Sequence, residues 1–498
     1  MLNRRRVLTL GGLTVGGAAA GLLLPKGTPP HVQPLADAHM GGQLAGTDMA
    51  GMMHHTGAVP AAAPPPPVTP FTTAMPVSPV LRPVARSSTT DFYRLAIRPA
   101  NLEIFPGTTT PLLTYGGLFP GPTIRARTGR AVQIVYTNGL ADGSNVHLHG
   151  GYTPQDSDGY SMDIVSPGAS RTYRYPNLQQ GATLWYHDHA MGFEADHLYR
   201  GLQGFYVLED DAEAGLRLPS GEFDVPIMLR DAHFDENAQL VSDWPAPRET
   251  VLTNGKIQPY FPVAARKYRF RLLNAANERL FKLNLDGAEL IRIGSDGGLL
   301  PAPVPETELS VASGERTDFV VDFGKVGVGK QLVLSEATAG PVLRFDVVRS
   351  APDPSRVPAV LRPLPALPPA TVTRDITMSF DFSGATPLAL MNGKTFDPDR
   401  VDYRIKRGTT EIWRIHNADA APLDHTFHVH LVQFHVVDRG GKPLLPVDAG
   451  RKDTVFVAAG ESVAVQATFG DYLGKYVFHC HFIEHSVMGM MGQLEIVP

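Results

Sequence analysis

The chain has 498 residues, of which 43% are hydrophobic and 19% charged, with a formal net charge of -5. That length exceeds one core and suggests about three domains at roughly 150 residues each. The mildly acidic balance gives no electrostatic footprint for nucleic acid or acidic polymers, and a single cysteine excludes an intramolecular disulfide.

Residues 1–38 read as an export signal. Asn3-Arg4-Arg5-Arg6-Val7-Leu8 precedes an apolar stretch that Gly11, Gly12, Gly16 and Gly17 dilute, which resembles a twin-arginine signal peptide, with Ala36-Asp37-Ala38 as a candidate cleavage site. The stretch just reaches the roughly 18 apolar residues of a membrane anchor. Its glycines and arginines favour cleavage, so the mature chain is expected in the periplasm or outside the cell, without stable membrane insertion. Residues 39–89 read as a disordered lead around Pro64-Pro65-Pro66-Pro67. Within it, His39, Met40, Met49, Met52, Met53, His54 and His55 form a run whose thioethers and imidazoles suit soft Cu(I), so a copper-collecting tail and a linker with chance methionines both remain open.

From Asp91 onward short apolar alternations are broken by turn residues, as in Ala131-Val132-Gln133-Ile134-Val135-Tyr136 before Thr137-Asn138-Gly139. No long helical periodicity competes, so the class is all-β, built as sandwiches. Composition divides this part into domains 90–215, 216–350 and 371–498, with a proline-rich linker at 351–370. The middle domain has one histidine, His233.

The chemistry lies in repeated His-X-His spacing. On a strand successive side chains face opposite ways, so each such pair can offer two imidazoles to one metal cluster from one face. The pairs are His147/His149, His187/His189, His428/His430 and His479/His481. The last flanks Cys480, which must face the other way, and Cys480 with His425, His485 and a weak axial thioether from Met490 is the donor set of a blue-copper site. One pair alone carries little weight. Four pairs, ten of the chain's eighteen histidines once His425 and His485 are counted, leave little room for incidental core histidines.

These segments, in this order, resemble the multicopper oxidases: laccases, bilirubin oxidases and bacterial cuprous oxidases. The likeness runs from about Thr90 to the C-terminus. Leu252-Thr253-Asn254-Gly255 and Ser295-Asp296-Gly297-Gly298-Leu299-Leu300 resemble the cuprous-oxidase and spore-coat-laccase branch. The resemblance implies three cupredoxin-like Greek-key domains and four copper ions. It implies a type 1 site of His425, Cys480, His485 and Met490, and type 2 ligands His147 and His428. The type 3 ligands it implies are His149, His187, His189, His430, His479 and His481. Thr426 departs from the family's usual proline, which bears on loop stiffness rather than on a ligand.

The implied reaction takes electrons singly from a small reducing substrate at the type 1 site, expected near the surface through an edge of His485 or His425. The cluster, on the order of 10 Å away through the Cys480 backbone, reduces dioxygen to water. Protons are consumed, so carboxylates are expected nearby. Glu484 and Asp158 are the catalytic candidates, and Asp453 resembles a residue beside the type 1 histidine. The substrate reading is laccase-like, toward phenols and aromatic amines, because no methionine-rich insert precedes the third domain. A cuprous oxidase in copper tolerance is the alternative, and a copper-free structural relative a remote one. The chain is expected to act as a monomer.

Overall fold

The computed structural model describes residues 64–242 and 244–498. Strand alternation builds it. Ala131–Asn138, for example, turns Val132, Ile134 and Tyr136 into a core and its other face outward, as the two-residue period of a half-buried strand requires. Among the described residues the strands form six sheets, and these pack two by two around shared cores, so the all-β expectation holds.

The first pair joins a five-stranded sheet containing Thr90–Phe105, Ala131–Asn138 and Ser170–Tyr175 to a four-stranded sheet of Gly121–Arg127, Gln203–Glu209, Ala182–His187 and His147–His149. Tyr93, Ile134 and Tyr173 meet Leu148, Leu184 and Tyr206 between them. The second pair is a seven- and a five-stranded sheet around Phe270, Phe319, Leu334 and Phe345. The third is two five-stranded sheets around Ile415, Phe427, Phe478 and Cys480.

One connection pattern recurs in each pair. In the first, Thr90–Phe105 lies parallel to Ala131–Asn138, and Gly121–Arg127 parallel to the late strand Gln203–Glu209. The second repeats this with Asp224–Ala232 beside Lys267–Asn274 and Tyr260–Ala265 beside Gly340–Ser350. The third does so with Val372–Asp381 beside Thr409–Asn417 and Tyr403–Lys406 beside Met491–Val497. Parallel neighbours cannot be joined by a tight hairpin, so each unit interlocks its two sheets.

Residues 64–89 correct an expectation: they are laid on the sheets rather than disordered. Phe71 and Met75 donate backbone hydrogen bonds to Gln258 and Tyr260, Leu81 donates to Thr123, and Met75 is buried in the second core. This segment thus ties the second sandwich to the first. The expected signal peptide, residues 1–38, and the Met/His-rich run lie outside the described residues. Residues 351–371 hold neither helix nor strand. Among the described residues no helix is long and apolar enough to cross a membrane. The α-helices there are short, and two of them, Glu194–Tyr199 and Ile483–Val487, follow directly on histidine segments.

Candidate metal centres

Strand pairing brings the histidines together. His147–His149 runs antiparallel to Ala182–His187, with His147 opposite His187 and His149 opposite Trp185. In the third sandwich His428 stands opposite His479, and Phe427 opposite Cys480. Leu148 and Phe427 point into the cores of their own sandwiches, so the flanking histidines project to the boundary between the first sandwich and the third. There the two sets interleave: His147 stacks on His430 and His149 on His428, each with ring centroids 3.7 Å apart. All eight imidazoles are buried.

Their nitrogens sort into groups of metal-binding dimensions. His149, His187 and His481 form one, His189, His430 and His479 another, and His147 and His428 join with His149 in a third; within each the ligand atoms lie within 4.8 Å of one another. Each ring is anchored on its far side. His147 Nδ1 bonds the Asp158 carbonyl, His187 Nδ1 the Asp188 carbonyl, His428 Nδ1 the Asp453 carbonyl and His430 Nδ1 the Asp158 carboxylate. The opposite nitrogens, Nε2 of His147, His187, His428, His430 and His481 and Nδ1 of His149, have no partner. Buried polar atoms left unpaired cost about 1–3 kcal/mol each, and a cluster of them aimed inward, each ring held from its far side, fits a set of metal ligands. Burial, reinforced by the neighbouring imidazoles, pushes six of the rings well below the usual histidine range, and it takes His187 to about 3 and His479 to about 4. Neutral imidazole is the ligating form.

A second site lies on the other side of the same backbone. Cys480 Sγ is 3.7 Å from His425 Nδ1 and 3.6 Å from His485 Nδ1, and those two nitrogens are 3.1 Å apart. Burial alone would raise the thiol, but hydrogen bonding to the two imidazoles outweighs it and holds Cys480 at about 6, favouring the thiolate. Met490 is buried beside them, its amide on the His485 carbonyl and its carbonyl on the Cys480 amide. Neither imidazole edge reaches solvent as expected from sequence: His425 and His485 are 0% and 1% exposed. Asp419 takes His425 Nε2 at 2.9 Å. Glu278 lies 3.5 Å from His485 Nε2 and accepts from the Trp244 indole, and Phe380 stands edge-on to His485.

The carboxylates divide differently from expectation. Asp158 is at the cluster, bonded to His430, and burial pushes its carboxyl well up. Asp453 is not beside the thiolate site. Its strand neighbour Thr454 pairs with His428, and its carboxylate meets His149 Nε2 at 2.9 Å; Asp419 fills the place expected of it. Glu484 is buried, but it is held by Arg248 at 2.5 Å and Asn277 at 3.0 Å. The carboxylate close to the cluster from that side is Glu194, which sequence reasoning missed. Its Oε1, without a hydrogen-bond partner, is 3.4 Å from His189 Nε2, and burial pushes its carboxyl well up. The only signal in the sequence was an acid among small and apolar residues, Ala190-Met191-Gly192-Phe193-Glu194-Ala195, just after His189.

A Cys-His-His site and an eight-imidazole cluster, joined through one dipeptide step on either side of Cys480, define a protein built to move electrons between metal ions. Two models of multicopper oxidase domains match, at residues 96–213 and 365–498. The laccase of Bacillus subtilis (strain 168) is 35% identical over 508 residues, covering 86% of this chain and 98% of that protein. The bilirubin oxidase of Albifimbria verrucaria is 34% identical, covering 85% and 80%. The crystal structure of a laccase from Pediococcus acidilactici superposes with a TM-score of 0.82 at 28% identity, covering 88% of this chain and 96% of that one. The chain belongs to the multicopper oxidase family. It is a copper-binding oxidoreductase of cupredoxin-like fold that couples oxidation of a reducing substrate to reduction of dioxygen.

Proposed function

We propose that the chain is a laccase-like oxidase of small aromatic donors, phenols and aromatic amines. The observation that carries this reading is the aromatic face over the thiolate site. Phe380 stands 4.8 Å from His485, Phe382 stacks on Phe380 at 5.4 Å and is 39% exposed, and Trp244 lies 6.4 Å from His485. Flat donors can stack there within tunnelling reach of the imidazole. We assign His425, Cys480, His485 and Met490 to a type 1 site and His147 and His428 to a type 2 site. The coupled pair takes His149, His187 and His481 on one side and His189, His430 and His479 on the other. Copper held by these residues would supply one-electron redox chemistry at the thiolate site and dioxygen reduction at the cluster.

The chain's own residues do the rest. Cys480 links the sites covalently to His479 and His481, so no mobile carrier is needed. Asp158, Asp188 and Asp453 fix ring orientations from outside the cluster. Asp158 and Glu194, whose carboxyls burial holds up, keep protons beside it. Glu484 acts at one remove, fastening the helix Ile483–Val487 through Arg248 and Asn277.

A second reading, oxidation of Cu(I), is favoured by Glu278 and Asp419, carboxylates at the outer nitrogens of both type 1 imidazoles. Turnover of a bulky phenol is to be compared with turnover of Cu(I), each with and without added Cu(II). Phenol oxidation without added Cu(II) supports the first reading; phenol oxidation only with it, beside fast Cu(I) oxidation, establishes the second. Failure of the purified chain to retain copper would leave the structural relative. We further propose three domains ending near 215, 350 and 498, a monomeric state, and export by the twin-arginine route. Arg4 at the N-terminus of exported protein would refute cleavage of the signal.

A further inference from the structure

The middle sandwich supplies no imidazole, yet its strand Arg316–Asp322 reaches the cluster. Of the eight rings, His149 alone has its Nε2 taken by outside partners, Asp453 Oδ1 at 2.9 Å and Thr454 Oγ1 at 3.1 Å, so that Nδ1 is the nitrogen left for a metal. Asp453 is itself clamped by Arg316, with Nη1 to Oδ1 at 2.7 Å and Nη2 to Oδ2 at 2.6 Å. We propose that Arg316 is a positioning residue for the copper cluster: through a two-pronged hold on Asp453 it fixes the His149 ring in the orientation that presents Nδ1.

The rest of the arginine's surroundings suit this role. A guanidinium has five N–H donors in a fixed fork, and all five are used. Nε donates to the Thr183 carbonyl of the first sandwich, Nη1 and Nη2 to the Gly314 and Asp296 carbonyls of the middle one, and the remaining two to Asp453 of the third. Arg316 and Asp453 are both 0% exposed, so the fork cannot relax into solvent. Asp296 repeats the tie through its carboxylate, which accepts from the Asp453 and Thr454 amides and pairs with Lys452. Two glycines keep the space open. A Cβ on Gly150, the residue after His149, would collide with Asp453 Oδ2 and lie 2.6 Å from Arg316 Nη2, and one on Gly314 would lie 2.8 Å from His481 Nδ1. Lysine cannot replace such a fork, because its single ammonium reaches one carboxylate oxygen at a time. Removing the hold frees Asp453 to turn and lets the His149 ring rotate away from its group with His187 and His481.

The inference rests on the reading that these imidazoles bind copper; wild-type protein that retains none would remove that reading first. The test uses full-length protein in Arg316→Lys and Asp453→Asn forms, both copper-loaded and metal-stripped. The measurements are copper per chain after dialysis against a chelator, the paramagnetic resonance spectrum, and melting of both forms. Expected in each variant is at least tenfold weaker retention of one copper, equal to about 1.4 kcal/mol. A new resonance signal from copper no longer magnetically coupled should accompany it, with the blue absorption of the Cys480 site unchanged. Unpairing buried ions lowers melting in both forms, but the fall should be clearly larger in the loaded form than in the stripped form. Unchanged copper and resonance signals would overturn the proposal, as would equal losses in loaded and stripped melting, which would make Arg316 mere mortar between sandwiches. A change in Arg316→Lys without one in Asp453→Asn would also overturn it, since the action would not run through Asp453.

Discussion

Glu194→Gln separates proton supply from everything else the cluster does. Glu194 lies 3.4 Å from His189 Nε2, carries an oxygen with no partner, and has no cation within bonding distance among the contacts that hold it. Because burial keeps this carboxyl protonated, glutamine copies its shape and neutral charge but cannot release a proton, so the fold should lose less than about 1 kcal/mol. Proton transfer by a positioned acid is worth typically about 10²–10⁴ in rate. With Asp158 still in place on the other side, the lower end applies: a slowing of about a hundredfold, or roughly 2.7 kcal/mol of barrier. The assay has two halves. Anaerobic mixing with a phenol follows bleaching of the blue absorption, and mixing of the reduced protein with dioxygen follows its return. Bleaching should keep its wild-type rate while return slows. Return at the wild-type rate across pH 5–8, a range chosen to bracket neutrality, would refute the argument. The control is Glu484→Gln. It leaves Arg248 buried without its charge partner, at a cost of about 3–5 kcal/mol in stability, so its signature is a lower melting temperature.

Three further outcomes follow from the same geometry. Cys480→Ser should abolish the blue absorption and lower copper content by one ion per chain while the eight-imidazole cluster keeps its copper; unchanged colour would remove Cys480 from the site. Met490→Leu should raise the type 1 potential, since a weak axial thioether is lost, and spectroelectrochemical titration showing an unchanged or lower value would refute the axial assignment. Metal-stripped protein should lose stability in acid. His187 and His479 are held neutral to about 3 and about 4 in the fold, whereas in the unfolded chain they take up protons below about 6.5. The unfolded state therefore binds more protons in that window, and each ring removes about 1.4 kcal/mol of stability per pH unit as pH falls from about 6.5 toward 4. Urea midpoints that stay flat over this window would contradict neutral burial of the rings.

Which parts of the molecule were legible in the sequence follows from what a short stretch of chain can encode. Strand geometry is local, so His479, Cys480 and His481 announced two opposite-facing sites before any partner was known, and the separation of Cys480 into the third core from histidines at the boundary is the same period of two. The recurring parallel connections were not legible, because the three sandwiches repeat a topology without repeating residues. Glu484 drew attention because it stands inside the histidine motif. In space that position faces Arg248 and Asn277, and the acid beside the cluster comes from the helix Glu194–Tyr199 instead.

Asp453 shows the same limit from the other side. Resemblance to a residue of the cuprous oxidases suggested a place by the thiolate site, but the Asp453 carboxylate lies on the cluster side, against His149. Register is set within the strand Thr454–Val457, where Val455 and Val457 enter the third core, but Asp453 lies just before that strand and nothing in the pattern fixes where its carboxylate turns. What fixes it is the contact with the middle sandwich, where Asp296 takes the Asp453 amide and Arg316 its carboxylate. The third of the chain that holds a single histidine, and that looked idle in the sequence, therefore decides which carboxylate serves which metal site.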